Sequence, residues 1–309
     1  MLDTDASEAL PGAHGRCRPP GPNWLMTSSR PVPRVLSIAG SDSGGGAGIQ
    51  GDLKALARCG VHGMTAITAI TAQNTVTVRS VWPVPPAAIV DQVRAVAEDI
   101  GVDAVKIGML GSTETIGAVE EALGLLGSVP IVLDPVMVAE SGATLLAADA
   151  RDALRERIVP RATVLTPNLP EARVLAGAGE EAASAGGDEA EVLARRVHGL
   201  GAGAVVVTGG HRDEATDVFF DGRQLVRIPG ERHPGGAAHG SGCAHSSALA
   251  AGLAWGLDPL EAAREARALA SRAVRDGLRD LGAGNGPVDV FGLAGAERGA
   301  SRSPDAGLP

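Results

Sequence analysis

Between residues 35 and 279 short apolar runs alternate with longer segments of helical periodicity, and this alternation restricts the fold more than any other feature. Buried strands are expected at Val35-Leu36-Ser37-Ile38-Ala39, Met64 to Ala72, Ala104 to Ile107, Ile131-Val132-Leu133, Thr163-Val164-Leu165 and Ala204 to Val207. Helices are expected over Gly48 to Cys59, Pro86 to Asp99, Thr113 to Leu126, Glu189 to Leu200, Gly242 to Trp255 and Pro259 to Arg279. Strands joined by helical crossovers make an α/β fold, a doubly wound and mainly parallel sheet with helices on both faces. Ligands of such sheets lie beyond the carboxyl ends of the strands. Functional residues are therefore sought at the strand-to-helix junctions.

Composition narrows the function. The chain has 309 residues, 44% of them hydrophobic but only 2% aromatic, so Ala, Val, Leu and Ile must fill the core. The net charge is −9, the only lysines are Lys54 and Lys106, and the arginines are scattered. That excludes the dense basic face and stacking rings that nucleic acid requires. Cys17, Cys59 and Cys243 are far apart and in no metal-ligand spacing, which predicts reduced thiols. No apolar stretch reaches the roughly 20 residues of a membrane span, and the first thirty residues lack a secretory pattern. A cytoplasmic protein without membrane or nucleic-acid partners is expected. Residues 1–32 and 296–309 are rich in Gly, Pro, Ser and Arg without periodicity, predicting disordered tails around a single domain over 33–295.

The first junction runs from Gly40 to Gly48 and includes Asp42 and Ala47. Within it Gly46-Ala47-Gly48-Ile49-Gln50-Gly51 matches the G-x-G-x-x-G dinucleotide fingerprint. That site also needs an acid about 20 residues later. No Asp or Glu occurs between Asp52 and Asp91, so an NAD-binding oxidoreductase is disfavoured, and the choice lies between a substrate-facing loop and a tight turn. After the second strand comes Ala72-Gln73-Asn74-Thr75. The Gln73 carboxamide pairs a donor with an acceptor and suits the edge of a nitrogen heterocycle, or is an ordinary strand-end residue. Lys106-Ile107-Gly108-Met109 brings a thioether to the same side, where Met109 faces either pocket or core.

Asp134-Pro135 and Thr166-Pro167-Asn168-Leu169-Pro170-Glu171 follow two further strands. Their oxygens suit Mg²⁺, which keeps waters and borrows phosphate oxygens, while Asn168 and Glu171 equally suit a helix start. Last comes His239-Gly240-Ser241-Gly242-Cys243. Free N–H groups at a helix start make an anion site, and the same field is expected to lower a thiol pKa. Cys243 is then either an activated thiol or a small buried apolar residue. No lysine follows a glycine, which rules out a P-loop, and the middle of Gly40 to Gly44 is Asp42, which rules out a nucleophile elbow.

Taken in order, seven of these motifs resemble the ribokinase-like superfamily and, within it, the bacterial hydroxymethylpyrimidine/phosphomethylpyrimidine kinase family of thiamine biosynthesis. The similarity covers Arg34 to Val288 and includes Ala39-Gly40-Ser41-Asp42, Ala72-Gln73-Asn74-Thr75, Lys106-Ile107-Gly108-Met109-Leu110, Asp134-Pro135-Val136-Met137, Thr166 to Ala172, Gly209-Gly210-His211 and His239 to Cys243. The resemblance implies ATP-dependent phosphorylation of 4-amino-5-hydroxymethyl-2-methylpyrimidine and then of its monophosphate, by a homodimer. It implies that Gln73 reads the pyrimidine edge, that Gly40, Asp42, Ala47, Met109 and Val136 surround the ring, and that Asp134 and Glu171 organise Mg²⁺. It further implies ATP contacts at Asn168, Thr208 and Gly210, an anion hole at Gly240, Ser241 and Gly242, and Cys243 facing the substrate hydroxyl. Thr208 stands where the family commonly has Lys, Ala237-Ala238 where it has Asn-Thr, and Ser43-Gly44 where it has Pro-Ser. A pyridoxal-type kinase of the same superfamily is the nearest alternative, and a non-catalytic pyrimidine sensor is a further one.

Overall fold

Every apolar run expected to be a strand forms one. The computed structural model describes residues 31–177, 188–209 and 215–296, so nearly all of both expected tails, as well as Gly210 and His211, lie outside the described residues. In chain order the elements are β1 (Arg34–Asp42), α1 (Gly48–Arg58), β2 (His62–Gln73), β3 (Val78–Pro83), α2 (Pro86–Asp99) and β4 (Ala104–Ile107). Next come α3 (Thr113–Leu123), β5 (Ile131–Leu133), α4 (Ala150–Ala153), β6 (Val164–Leu165), α5 (Leu169–Leu175) and α6 (Glu189–His198). The last are β7 (Ala204–Val207), β8 (Asp217–Phe220), β9 (Leu225–Ile228), α7 (Ser241–Trp255), α8 (Pro259–Arg275) and α9 (Leu293–Ala296).

The strands form one sheet in the order β3-β2-β1-β4-β5-β6-β7-β8-β9. From β2 to β7 every pairing is parallel, as expected. Three antiparallel strands, β3 at one edge and β8 and β9 at the other, were not expected. β3 escaped because it is a mostly exposed strand that ends on a proline, as edge strands tolerate. It carries too little apolar sequence to read as a buried run.

Successive residues of the central strands enter different cores, because side chains alternate across a sheet. Leu36, Val105, Leu133 and Leu165 pack with Ile89 of α2, Ile116 of α3 and Leu193 of α6. Their neighbours Val35, Ala104, Val132 and Val164 pack with Leu56 of α1, Leu249 of α7 and Leu269 of α8. Burial on both faces explains why these strands read as continuous apolar runs.

The second layer depends on small side chains. From Ala244 to Leu253 every residue of α7 is buried, and seven of the ten are Ala, Gly or Ser. At Gly252 an added Cβ would lie 3.0 Å from the Cβ of Ala262, so α7 and α8 approach as closely as side chains allow. A glycine at φ +91°, Gly256, ends α7, and Asp258 starts α8 by accepting the N–H groups of Leu260 and Glu261. Held against β1, β4 and β5, α7 brings its N-terminus to the carboxyl ends of the strands.

Because this contact has no spare volume, Ala262→Leu is expected to destabilise the protein by about 1–3 kcal/mol. Urea unfolding measures it, and an unchanged midpoint would show that the two helices have slack.

Candidate active site

The junctions converge on one cavity of about 480 Å³. Gly40, Asp42, Ala47 and Gln73 line it from β1, its loop and β2. Met109, Asp134, Val136, Asn168 and Thr208 line it from the loops after β4, β5, β6 and β7, Glu171 from the first turn of α5, and Gly240 to Cys243 from the start of α7. All the sequence-predicted residues therefore meet except Gly210, which lies outside the described residues.

Asp42 organises two of these loops. Its carboxylate accepts the backbone N–H groups of Gly44 at 2.8 Å, Gly46 at 3.0 Å and Ala47 at 2.8 Å, and lies 3.1 Å from Nε2 of His239. Burial alone would raise its pKa, but the His239 contact and the backbone donors outweigh it and hold the carboxyl below the ordinary range. Asp42 thus ties the first glycine loop to the turn before α7. The two loops touch directly: a Cβ on Gly46 would lie 2.2 Å from the His239 ring, and one on Gly240, at φ +83°, would lie 1.9 Å from the carbonyl oxygen of Gly46. Glycine at Gly46 serves contact within the protein, not the approach of a pyrophosphate.

Beneath the cavity lies an ionic cluster that motif reading missed. Lys106 is fully buried, with Nζ 2.8 Å from Oδ1 of Asp52 and 3.8 Å from Oδ2 of Asp134. Ser37 and Ser247 donate to Asp52 at 2.6 and 2.9 Å, and Ser246 donates to Asp134 at 3.0 Å. Burial by itself would lower the Lys106 pKa, but Asp52, Cys243 and Asp134 together raise it above the usual lysine value, so the ammonium persists. A signal was available. A lysine inside the apolar run Ala104 to Ile107 must find a buried carboxylate, since an unpaired charge there is prohibitive.

Glu171 is a helix-capping residue that also faces the cavity, closing a capping box with Asn168 at the start of α5. Burial first, and then the charge of Asp134, push its pKa up to about 8 against the N–H groups of Asn168 and Met137. Asp134 is itself raised, mainly by burial. Two repelling buried carboxylates gain from a nearby cation, and their hard oxygens fit Mg²⁺. Among the described residues no group of three His, Cys, Asp or Glu forms a metal cage, so phosphate and water would complete such a shell.

Cys243 corrects an expectation. The helix start was expected to lower its pKa; instead burial, followed among the raising causes by Asp52 and Asp134, pushes it up to about 12, against Lys106 and the Gly48 N–H. Burial, more than the two carboxylates, decides the direction. Met109 is likewise both core and pocket: it is buried, and a Cβ on Gly40 would come within 2.5 Å of its terminal methyl. Gln73 is half-buried at the cavity wall, its Oε1 3.3 Å from the Thr71 hydroxyl.

The chain matches the phosphomethylpyrimidine kinase family over residues 42–289. It is 49% identical to a hydroxymethylpyrimidine/phosphomethylpyrimidine kinase of Rhizobium meliloti across 83% of this chain and 96% of that one. Two solved structures are similar. An ADP complex of Bacillus subtilis pyridoxal kinase superposes with a TM-score of 0.77 at 36% identity, covering 85% of this chain and 99% of that one. A phosphomethylpyrimidine kinase of Clostridium difficile gives 0.67 at 37% identity, covering 76% and 96%.

Lys106→Met would leave Asp52 buried beside no cation, and is expected to cost about 3–5 kcal/mol in unfolding free energy. Adding Asp52→Asn should recover much of that loss, and a double variant no better than the single one would refute the pairing. A raised thiol pKa means a neutral thiol throughout the range below it. Alkylation of Cys243 in nucleotide-free protein should therefore keep rising with pH well past 9, and a plateau by pH 8 would contradict the reversed shift.

Proposed function

The chain belongs to the phosphomethylpyrimidine kinase family, and from that membership we propose that it transfers the γ-phosphoryl group of ATP to the hydroxyl of 4-amino-5-hydroxymethyl-2-methylpyrimidine. The monophosphate formed is its second acceptor. The observation that carries this reading is the meeting, in one cavity, of a heterocycle-sized wall, a carboxylate pair and a helix N-terminus that opens on Gly-Ser-Gly-Cys.

In this reading Gln73 pairs with the ring edge, and Gly40, Ala47, Met109 and Val136 enclose the ring. Asp42 acts by holding Gly44, Gly46, Ala47 and His239 in place around it. The N–H groups from Gly240 to Gly242 face the transferred phosphoryl group, where fixed donors and the helix dipole stabilise developing negative charge. Asn168, Thr208 and Gly210 take the nucleotide. Asp134 and Glu171 hold Mg²⁺, which when bound spreads positive charge over the phosphates.

Cys243 stands beside the acceptor hydroxyl. Phosphoryl transfer passes through a loose transition state, so the hydroxyl proton leaves late and the group that receives it need not be ionised throughout the reaction. A thiolate of high pKa is a stronger base in the fraction where it forms. Lys106 lies close enough to raise that fraction, since its charge opposes the upward shift of the thiol.

A second reading, phosphorylation of pyridoxal, is favoured by the 36% identity to the Bacillus subtilis pyridoxal kinase. Coupled ADP release with Mg-ATP and each alcohol separates them: faster turnover of the pyrimidine is expected, and preferred turnover of pyridoxal would reassign the substrate. Binding of either alcohol without turnover would make the protein a sensor. A homodimer and a cytoplasmic location, implied by the family resemblance, belong to the same proposal, and light scattering of the purified chain tests the first.

Cys243→Ala is expected to lower kcat by at least about 10²-fold, the lower end of general acid–base contributions. Turnover near wild type in that variant would remove Cys243 from proton transfer.

A further inference from the structure

A hydroxyl has one hydrogen to give, whereas a carboxamide has an accepting oxygen and a donating nitrogen of nearly the same shape. Which of the two points where is settled by their hydrogen-bond neighbours. At the cavity wall that neighbour is Thr71, which makes the one side-chain hydrogen bond of Gln73 among the described residues.

Thr71 and Gln73 lie two positions apart at the end of β2, where side chains at that spacing share a face. The register of β2 against β3 shifts between Ala72 and Gln73, an irregularity of the kind that re-aims a side chain beside a site. Thr71 is 4% exposed and lines the cavity together with Gln73. Its hydroxyl donates to the carbonyl oxygen of Ser41, on the neighbouring strand β1, at 2.9 Å. Oε1 of Gln73 stands 3.3 Å from the same hydroxyl. A backbone carbonyl can only accept, so the one hydrogen goes to Ser41, the shorter contact, and the hydroxyl oxygen is left to accept. Oε1 there would set two acceptors against each other. A half-turn of the amide leaves its shape unchanged and brings Nε2 there as a donor. Oε1 and the second hydrogen of Nε2 are then left for a group in the cavity.

This orientation distinguishes two alcohols by the substituent beside the hydroxymethyl group. In 4-amino-5-hydroxymethyl-2-methylpyrimidine that substituent is an amine, a donor, next to a ring nitrogen that accepts. Pyridoxal has an aldehyde in that place, which accepts only. An amide oxygen fixed toward the substituent pairs with the amine and opposes the aldehyde, and a buried acceptor left without a donor is costly. An amide free to turn over would serve either.

We infer that Thr71 is a positioning residue for substrate choice: its hydroxyl, committed to Ser41, fixes the Gln73 amide with Oε1 toward the ring, and so favours an amine over an aldehyde beside the reacting group. The inference rests on the pyrimidine kinase reading and adds to it a residue outside the motifs.

Thr71→Val keeps the shape of the side chain and removes the hydroxyl. It is expected to lower the ratio of kcat/KM for the aminopyrimidine over that for pyridoxal about 3- to 10-fold, the range of one hydrogen bond, with the KM for ATP within twofold. Thr71→Ser, which keeps the hydroxyl, should hold the wild-type ratio. An unchanged ratio in folded Thr71→Val overturns the inference, as does an equal fall in both variants, which would trace the effect to packing. Should Thr71→Val not fold, wild-type protein supplies a second measurement. A pyrimidine with an oxo group in place of the amine presents an acceptor, and in titration calorimetry it should bind at least about 10-fold more weakly than the amine. Equal affinity would show that the amide turns freely and overturns the inference. A wild-type protein that prefers pyridoxal sinks the pyrimidine reading itself; preferred turnover of the pyrimidine, with a ratio that Thr71→Val leaves alone, sinks this inference alone.

Discussion

The ammonium of Lys106 is the point on which the rest of the site depends. Five elements reach the buried cluster around it: Ser37 from β1, Asp52 from α1, Lys106 from β4, Asp134 after β5, and Ser246 and Ser247 from α7. Removing these charges from water is expensive, and only close pairing and full hydrogen bonding offset that cost. The pairing therefore sets the position of α1 and α7 against the sheet more narrowly than apolar packing would. Whatever happens at the start of α7 happens above this cluster.

A second constraint comes from backbone against backbone. Gly240 and Gly46 meet where no side chain fits, and Asp42 pins both loops through three N–H groups and His239. Loops that touch at glycine and share one carboxylate cannot move independently, so the loop after β1 and the start of α7 are held in fixed relation. Such preorganisation suits a reaction in which positioning and electrostatics do most of the catalytic work.

Legibility differed by residue type. Parallel strands were readable because burial on both faces leaves few polar residues to interrupt them, and none in Ile131-Val132-Leu133. β3 was not, since an exposed edge strand needs no apolar face. Junction residues were readable because glycine, Asn-x-x-Glu and Gly-Ser-Gly-Cys carry local geometry in their spacing. The pairing of Lys106 with Asp52 was not, because the two are 54 positions apart and no local pattern says which carboxylate a buried lysine will meet.

The sequence by itself determined the parallel strands, the helices that connect them, the doubly wound class and the strand-to-helix junctions that line the cavity, since periodicity and glycine placement are local properties. It also carried the motifs of the family to which the chain belongs. Only the tertiary structure decided the electrostatics. The start of a helix predicts a lowered thiol pKa, yet burial first, and then the charges of Asp52 and Asp134, push Cys243 the other way. A pKa is set by every charge and every desolvated atom within several ångströms, and those neighbours are known only once the chain has folded.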